Sequence, residues 1–319
     1  MSGKIALIIG ATGAIGPALV RCLITNGYSV RTYGKDSAAP DLFPDGVTQL
    51  YGDINDSRAV SDALRGVDVV FHLAALLHIS NPAPELEKQY QRINVEGSRN
   101  VAEVAAKMGV QRLIYFSTVK VYGIQRRELV NESIVPHPKT LYARSKLDGE
   151  NVVLSTPNLQ STVLRLSAVY GPRLKGTWQQ LVRGVAKGYF MPIGNLRNVH
   201  SLTYVDDVAR AALFAADSPQ RTGVYNVVGY ETPTLREILQ SIYTALEKPM
   251  PSISIPSPLA LLGASILEHT LKVLGKRSPL GVEAIQKLID DEAYSGAALR
   301  GLGYAPTTAL ADGWKISMH

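Results

Sequence analysis

Short apolar runs alternate with stretches whose apolar residues recur at helical spacing through the first half of this chain. The runs Lys4–Ile9, Ser29–Tyr33, Val47–Leu50, Val67–Leu73, Arg112–Ser117 and Ser161–Leu166 predict strands. Between them, helices are predicted over Ala14–Asn26, Ser57–Leu64, Asn94–Met108 and Leu141–Leu154, with Asn26-Gly27 and Met108-Gly109 as stops. Asn81-Pro82-Ala83-Pro84 marks a loop. Strand and helix in alternation predict an α/β fold with a doubly wound parallel sheet, because parallel strands need crossover connections.

Regularity fades after Leu166. Gly171-Pro172 and Pro192-Ile193-Gly194-Asn195 are turn signals, and helices are predicted at Trp178–Lys187 and Asp206–Ala216, the second opened by Asp206-Asp207 as cap and first-turn acids. A strand is predicted at Val224–Val228. Thr234–Leu246 has a helical pattern with Glu237 three residues after a cap candidate, Thr234. Pro251, Pro256 and Pro258 interrupt the chain before apolar helices at Leu259–Leu274 and Gly281–Asp290. No repeat or low-complexity tract is present.

Composition narrows the class. The chain has 319 residues, 46% apolar and 19% charged, the proportions of an ordinary globular protein. Its net charge of +6 is not concentrated in any Lys/Arg block, which points to weak steering of an anionic ligand and away from nucleic acid. Cys22 is the only cysteine, so no disulfide framework or Cys metal site forms within the chain, and its place on an apolar helix face reads as core. The six histidines have no metal-ligand spacing. Met1-Ser2-Gly3-Lys4 leads directly into the first strand without a signal-peptide pattern, and the most apolar stretch, Leu259–Leu267, is too short to span a bilayer. The expectation is a cytoplasmic protein with no membrane span.

Two patterns carry chemistry. Tyr142-Ala143-Arg144-Ser145-Lys146 places a phenol and an ammonium four residues apart, on one face of a helix. A nearby Lys⁺ favours phenolate, so such a pair can exchange a proton with a hydroxyl or carbonyl while a hydride moves. The same spacing also arises on an exposed helix turn. Gly10-Ala11-Thr12-Gly13-Ala14-Ile15-Gly16 follows the first strand and opens a helix, the setting in which glycines bring backbone N–H groups to a pyrophosphate. Pro17 fits only within the first helical turn.

With these go Gly52-Asp53-Ile54, His72-Leu73-Ala74-Ala75, Asn94-Val95-Glu96-Gly97, Phe116-Ser117-Thr118, Val121-Tyr122-Gly123, Val169-Tyr170-Gly171-Pro172, Tyr204-Val205-Asp206-Asp207 and Leu302-Gly303-Tyr304-Ala305-Pro306. In this order and over nearly the whole length, the chain resembles the extended short-chain dehydrogenase/reductases, most of all the nucleotide-sugar epimerases and 4-keto reductases. The resemblance implies a Rossmann-like NAD(P)-binding domain from residues 1–166 plus roughly 203–229, and a smaller substrate lobe from roughly 167–202 and 230–319. It makes Tyr142 the general acid/base, Lys146 a ribose ligand that depresses the Tyr142 pKa, and Thr118 a donor to the reacting oxygen. Gly10, Gly13 and Gly16 would approach the pyrophosphate, with Thr12, Ala14 and Ile15 beside it. Asp53 and Ile54 would border the adenine, Leu73, Ala74 and Ala75 would line the dinucleotide path, and Asn94 would join the cofactor contacts. Asp53 as a loop cap and Asn94 as a helix N-cap are alternatives.

Departures refine the expectation. Val119-Lys120 stands where the 4,6-dehydratases carry an Asp-Glu pair, which excludes dehydration. His200 stands where many members hold an arginine for the sugar diphosphate, leaving Arg173 and Arg197 as substitutes, with His200 either a ligand or a packing residue. The second strand ends at Gly34-Lys35, with no carboxylate there to repel a 2′-phosphate, so NADP is favoured over NAD and Lys35 is assigned to the cofactor; Asp36 serves NAD if the strand ends later. The expected activity is reduction of a 4-keto nucleotide sugar. C4 epimerisation with a tightly held cofactor, reduction of an apolar alcohol or ketone, and a non-enzymatic dinucleotide sensor are the alternatives. A homodimer is expected through the helices at Asn94–Met108 and Leu141–Leu154, where Ala102, Ala105 and Ala106 are small enough for close approach.

Overall fold

The computed structural model describes residues 3–77, 85–123, 129–173, 176–273 and 281–318. The loop expected at Asn81-Pro82-Ala83-Pro84 lies outside them. The strands are β1 (Ile5–Ile9), β2 (Ser29–Gly34), β3 (Thr48–Tyr51), β4 (Val69–His72), β5 (Arg112–Thr118), β6 (Gln160–Leu166), β7 (Ala168–Tyr170), β8 (Leu202–Tyr204) and β9 (Gly223–Val227). The helices are α1 (Gly16–Thr25), α2 (Ser57–Ala63), α3 (Glu85–Tyr90), α4 (Gly97–Lys107), α5 (Leu141–Ser155), α6 (Thr177–Ala186), α7 (Val205–Ala216), α8 (Leu235–Ala245), α9 (Ser257–Val273), α10 (Val282–Ile289), α11 (Ala297–Gly301) and α12 (Leu310–Ser317).

Seven strands form one parallel sheet in the order β3-β2-β1-β4-β5-β6-β9, and β7 pairs with β8 in a second, two-stranded sheet. The large sheet is doubly wound, as expected. Side chains alternate across its faces. Ala6 and Ile8 of β1 enter the core beneath α1 and α7, and Leu7 and Ile9 enter the core beneath α2 and α4. The order reverses between β1 and β4, and ligands of such sheets lie beyond the carboxyl ends of the strands at that reversal.

Elements whose signals are local fall where the pattern puts them. Thr234 and Glu237 make a reciprocal capping box at α8. Differences arise where tertiary contacts decide. The helix expected from Asn94 is one helical run from Glu85 to Lys107 with a π-helical segment, Gln91–Glu96, at its centre. Ala102 and Ala105 are fully buried in this chain's own core, which leaves only Ala106, half-buried, of the three alanines expected at a dimer contact; the outward side of α4 carries Arg99, Glu103 and Lys107. Tyr204, not Asp206, takes the cap position of α7. Asp207 is fully buried and accepts hydrogen bonds from the N–H groups of Thr307 (2.9 Å) and Thr308 (3.2 Å), which ties the carboxyl-terminal segment to α7.

Candidate active site

The glycine turn is held by both neighbouring strands. The Gly10 N–H donates to the Tyr33 carbonyl at 2.8 Å, and the N–H groups of Leu73 and Ala74 donate to the Ile9 carbonyl, each at 2.9 Å. Gly10 has φ +85°, and a Cβ there would lie 2.6 Å from the Ala74 nitrogen, so only glycine fits. Gly16 serves packing: its Cβ would fall 1.8 Å from the Ala11 carbonyl oxygen, so its lack of a side chain lets the turn close onto α1. At Gly13 a Cβ would meet nothing nearer than the Gly10 carbonyl oxygen at 3.6 Å. Pro17 lies in the first turn of α1, and no side chain caps that helix.

The turn opens onto a cleft of about 490 Å³, walled by Gly10, Thr12, Gly13, Ala14, Ile15, Gly34, Lys35, Asp36, Asp53, Ile54, Leu73, Ala74, Ala75, Tyr142 and Lys146 among others. Uncapped N–H groups at a helix start, a backbone approach left open by Gly13 and a cleft of this size fit a dinucleotide. Gly13→Val is expected to leave the fold intact and abolish dinucleotide binding, because the new side chain fills the cradle and not the core. Calorimetric titration of NADH checks it; unchanged affinity in the folded variant would place the cofactor elsewhere.

At the far wall the Asp53 carboxylate gathers charge. Lys35 Nζ and Arg92 each lie 3.0 Å from its Oδ2. The backbone N–H of Asn55, with support from Lys35, holds the Asp53 carboxyl down at about 2. Lys35 therefore has a partner within the protein.

Thr140 caps α5 by accepting from the Ala143 N–H at 3.1 Å, which sets Tyr142 and Lys146 in the cleft wall one helical turn apart. Lys146 is buried, with Nζ 3.9 Å from the centre of the Tyr115 ring. Burial lowers its pKa to about 7, against the opposing pull of Glu150. Burial, reinforced by the neighbouring phenol of Tyr90, pushes Tyr142 up to about 12. Burial thus acts on both groups against their charged forms, with the lysine lying over the Tyr115 ring. Thr118 ends β5 and its hydroxyl accepts from the Lys120 N–H at 3.3 Å, capping a 3₁₀ turn, Val119–Tyr122. Phe116 and Ser117, its neighbours on β5, line the cleft; Thr118 does not.

Residues 6–228 match the profile of the NAD dependent epimerase/dehydratase family. The chain belongs to that family. It is similar to an N-acetyl-α-D-glucosaminyl-diphospho-ditrans,octacis-undecaprenol 4-epimerase of Escherichia coli O157:H7, 28% identical over 96% of this chain and 92% of the relative. It is also similar to sterol demethylase protein B of Methylococcus capsulatus, 30% identical over 96% of this chain and 94% of that protein. Among solved structures, a UDP-glucose 4-epimerase of Thermus thermophilus in complex with NAD superimposes with a TM-score of 0.74 at 24% identity, over 98% of this chain and 97% of the other. The protein is thus an enzyme, an extended short-chain dehydrogenase/reductase of the epimerase/dehydratase family with a site for a nicotinamide dinucleotide.

Several of the expected ligands make contacts within the protein. Asn94 is fully buried in the π-helical segment; its side chain accepts from the Leu76 N–H (2.7 Å) and donates to the Leu76 carbonyl (3.1 Å) and the Ser145 hydroxyl (2.9 Å). It brackets the cleft loop against α5 and, lying inside the π-helical segment, is not a helix cap. His200 is also buried, 2.8 Å from Asn198 Nδ2, 3.3 Å from the Leu288 carbonyl oxygen and edge-on to Trp178, and desolvation lowers its pKa. Its surroundings are those of the packing alternative, enclosed between Trp178 and the Leu288 segment. Arg173 is exposed and donates to the Thr12 carbonyl at 3.3 Å, which lays it over the mouth of the glycine turn. Arg197 is exposed on the segment before β8, outside the cleft wall.

The structure adds a buried group that pattern reading missed. Glu150, one turn beyond Lys146, pairs with Arg165 of β6 at 2.7 Å and hydrogen-bonds the Ser117 hydroxyl. Its signal in the sequence was a charged residue, Arg165, between two leucines of a strand, and a glutamate four residues from Lys146. Val119 is buried and Lys120 points to Glu292 at 3.8 Å, so no acid pair follows Thr118.

Proposed function

We propose that the enzyme is a 4-epimerase of a hexose carried on a diphosphate. The observation that carries this reading is the placement of Tyr142 and Lys146 in the same cleft wall as the glycine turn. A bound nicotinamide dinucleotide would take the hydride from C4 and later return it. Tyr142 exchanges the proton of the C4 oxygen, Lys146 holds the ribose side of the cleft, and Arg173 supplies a cation beside it. Reduction of a 4-keto sugar uses the same groups. The epimerase reading is favoured by the relative named as a sugar-diphospho-undecaprenol 4-epimerase, which aligns with nearly the whole chain. Epimerisation is redox-neutral, so the test is conversion of UDP-N-acetylglucosamine or its undecaprenyl-diphosphate counterpart without added dinucleotide, followed by NMR of the C4 epimer. Consumption of NAD(P)H instead would establish the reductase; no turnover of either substrate would overturn both.

For the dinucleotide, the absence of a carboxylate at Gly34 favours NADP, whereas the charges around it favour NAD. Lys35 and Arg92 are both engaged by Asp53, and Asp36 lines the same wall. Four charges that cancel offer little to a 2′-phosphate, and we read NAD as the resident cofactor. A carboxylate accepting from a 2′-hydroxyl contributes roughly 1.5 kcal/mol when partly exposed, or about tenfold in affinity. NADH is expected to bind more tightly than NADPH by that factor, and Asp36→Asn to narrow the gap. Competitive fluorescence titration decides; a tenfold preference for NADPH would restore the NADP assignment.

A further inference from the structure

Helix α9 is apolar on two sides and uses one of them. Ala264 is buried, and Ala260 and Leu261 pack with it against Ile285 and Ile289 of α10. On the other side Leu259, Leu262 and Ile266 are 61%, 59% and 59% exposed, at a spacing that puts them on one helix face. Leu267 and Tyr189 continue the patch. Beside it, between α6, α9 and α10, runs an apolar groove of about 740 Å³. A helix apolar all round is normally covered, and a patch of this kind marks an interaction surface. Among the described residues no helix is long and apolar enough to cross a membrane, so α9 can lie on a lipid surface but not span it.

We propose that α9 and the adjoining groove dock the enzyme on the surface of an anionic phospholipid bilayer. The leucines and isoleucine enter the acyl boundary, Tyr189 sits at headgroup level, and Arg183 and Lys187, which line the groove, meet lipid phosphates. A second copy of the chain fits this face poorly. A two-fold interface would set groove against groove and enclose a void, where a stable dimer needs close packing. The docking face reaches the active site through one short segment: Leu288 lines the groove, and Glu292, four residues on, faces Lys120 just after Thr118. The proposal rests on the reading of the substrate as a diphosphate-linked sugar and refines it: the diphosphate is carried by a membrane lipid.

Co-sedimentation of the full chain with vesicles of phosphatidylcholine, with and without phosphatidylglycerol, tests it. The wild type is expected to sediment with the anionic vesicles. Leu262→Asp/Ile266→Asp should lower the bound-to-free ratio at least about tenfold, since each change puts a charge where an apolar side chain would enter the acyl boundary. NADH affinity should be unchanged, which verifies the fold. Arg183→Glu/Lys187→Glu should weaken binding to anionic vesicles only, and Leu302→Asp, a control at another exposed apolar residue, should change nothing. A wild type that stays in the supernatant with both vesicle types overturns the proposal. So does a loss of mass by light scattering in the double aspartate variant without loss of sedimentation, which would make a second copy the occupant. Sedimentation does not depend on turnover, so failure of the epimerase reading is seen separately.

Discussion

Tyr142→Phe is expected to lower turnover by about 10²- to 10⁴-fold, the range for loss of a general acid/base, while dinucleotide affinity is retained. Phenylalanine keeps the ring that packs 6.4 Å from Tyr90 and removes only the hydroxyl. With the phenol held at about 12, Tyr142 is protonated at neutral pH and poised to donate to an oxygen that receives hydride. Taking a proton in the reverse direction then depends on the positive charge of Lys146 and of whatever is bound beside it. Single-turnover kinetics with saturating dinucleotide read this step. A folded Tyr142→Phe variant with wild-type turnover would remove Tyr142 from the chemistry.

Glu150→Ala is expected to have the largest effect on stability. Glu150 and Arg165 are almost wholly enclosed, side chains 1% and 6% exposed, with further bonds of 3.1 Å from Arg165 Nε to both carboxylate oxygens. Removing one partner strands a charge in the interior and costs about 3–5 kcal/mol. For a chain of this size that lowers the melting temperature by on the order of 10 °C. Replacing both, as in Glu150→Leu/Arg165→Met, should recover most of the loss, because the penalty lies in the unpaired charge. The pair also supports the site. Glu150 opposes the downward shift of Lys146, so removing its carboxylate moves the Lys146 pKa further below about 7. Activity that needs the Lys146 ammonium should then fall off at lower pH than in wild type. Calorimetry and a pH–rate profile check the two effects; an unchanged melting temperature would show that the pair carries no stability.

The elements read most reliably from sequence are those whose cause is local. β1, its glycine turn and Pro17 lie within thirteen residues and need no distant partner. Thr234 and Glu237 are three apart and close their own capping box. The three-residue strands β7 and β8 carry too little pattern to register, and their pairing joins residues more than thirty positions apart. The π-helical segment was invisible for another reason: Asn94 is held there by Leu76 and Ser145, from a different loop and a different helix.

The candidate site divides along the same line. Spacing alone put Tyr142 and Lys146 on one helix face and the glycines at a strand-to-helix turn, because helical period and glycine geometry are properties of neighbouring residues. Which glycine packs and which leaves room, whether Lys146 keeps its charge, and whether Lys35 faces a ligand or Asp53 were decided by chain segments that meet only in the fold. Gly16 meets Ala11, Lys146 meets Tyr115 and Glu150, and Lys35 shares Asp53 with Arg92. Burial and electrostatics depend on all neighbours in space, and a sequence pattern records only those along the chain. Hence the family and the placement of Tyr142 and Lys146 on one helix face were legible from residue order, while the charge states, the buried Glu150–Arg165 pair and the enclosure of His200 belong to the tertiary structure.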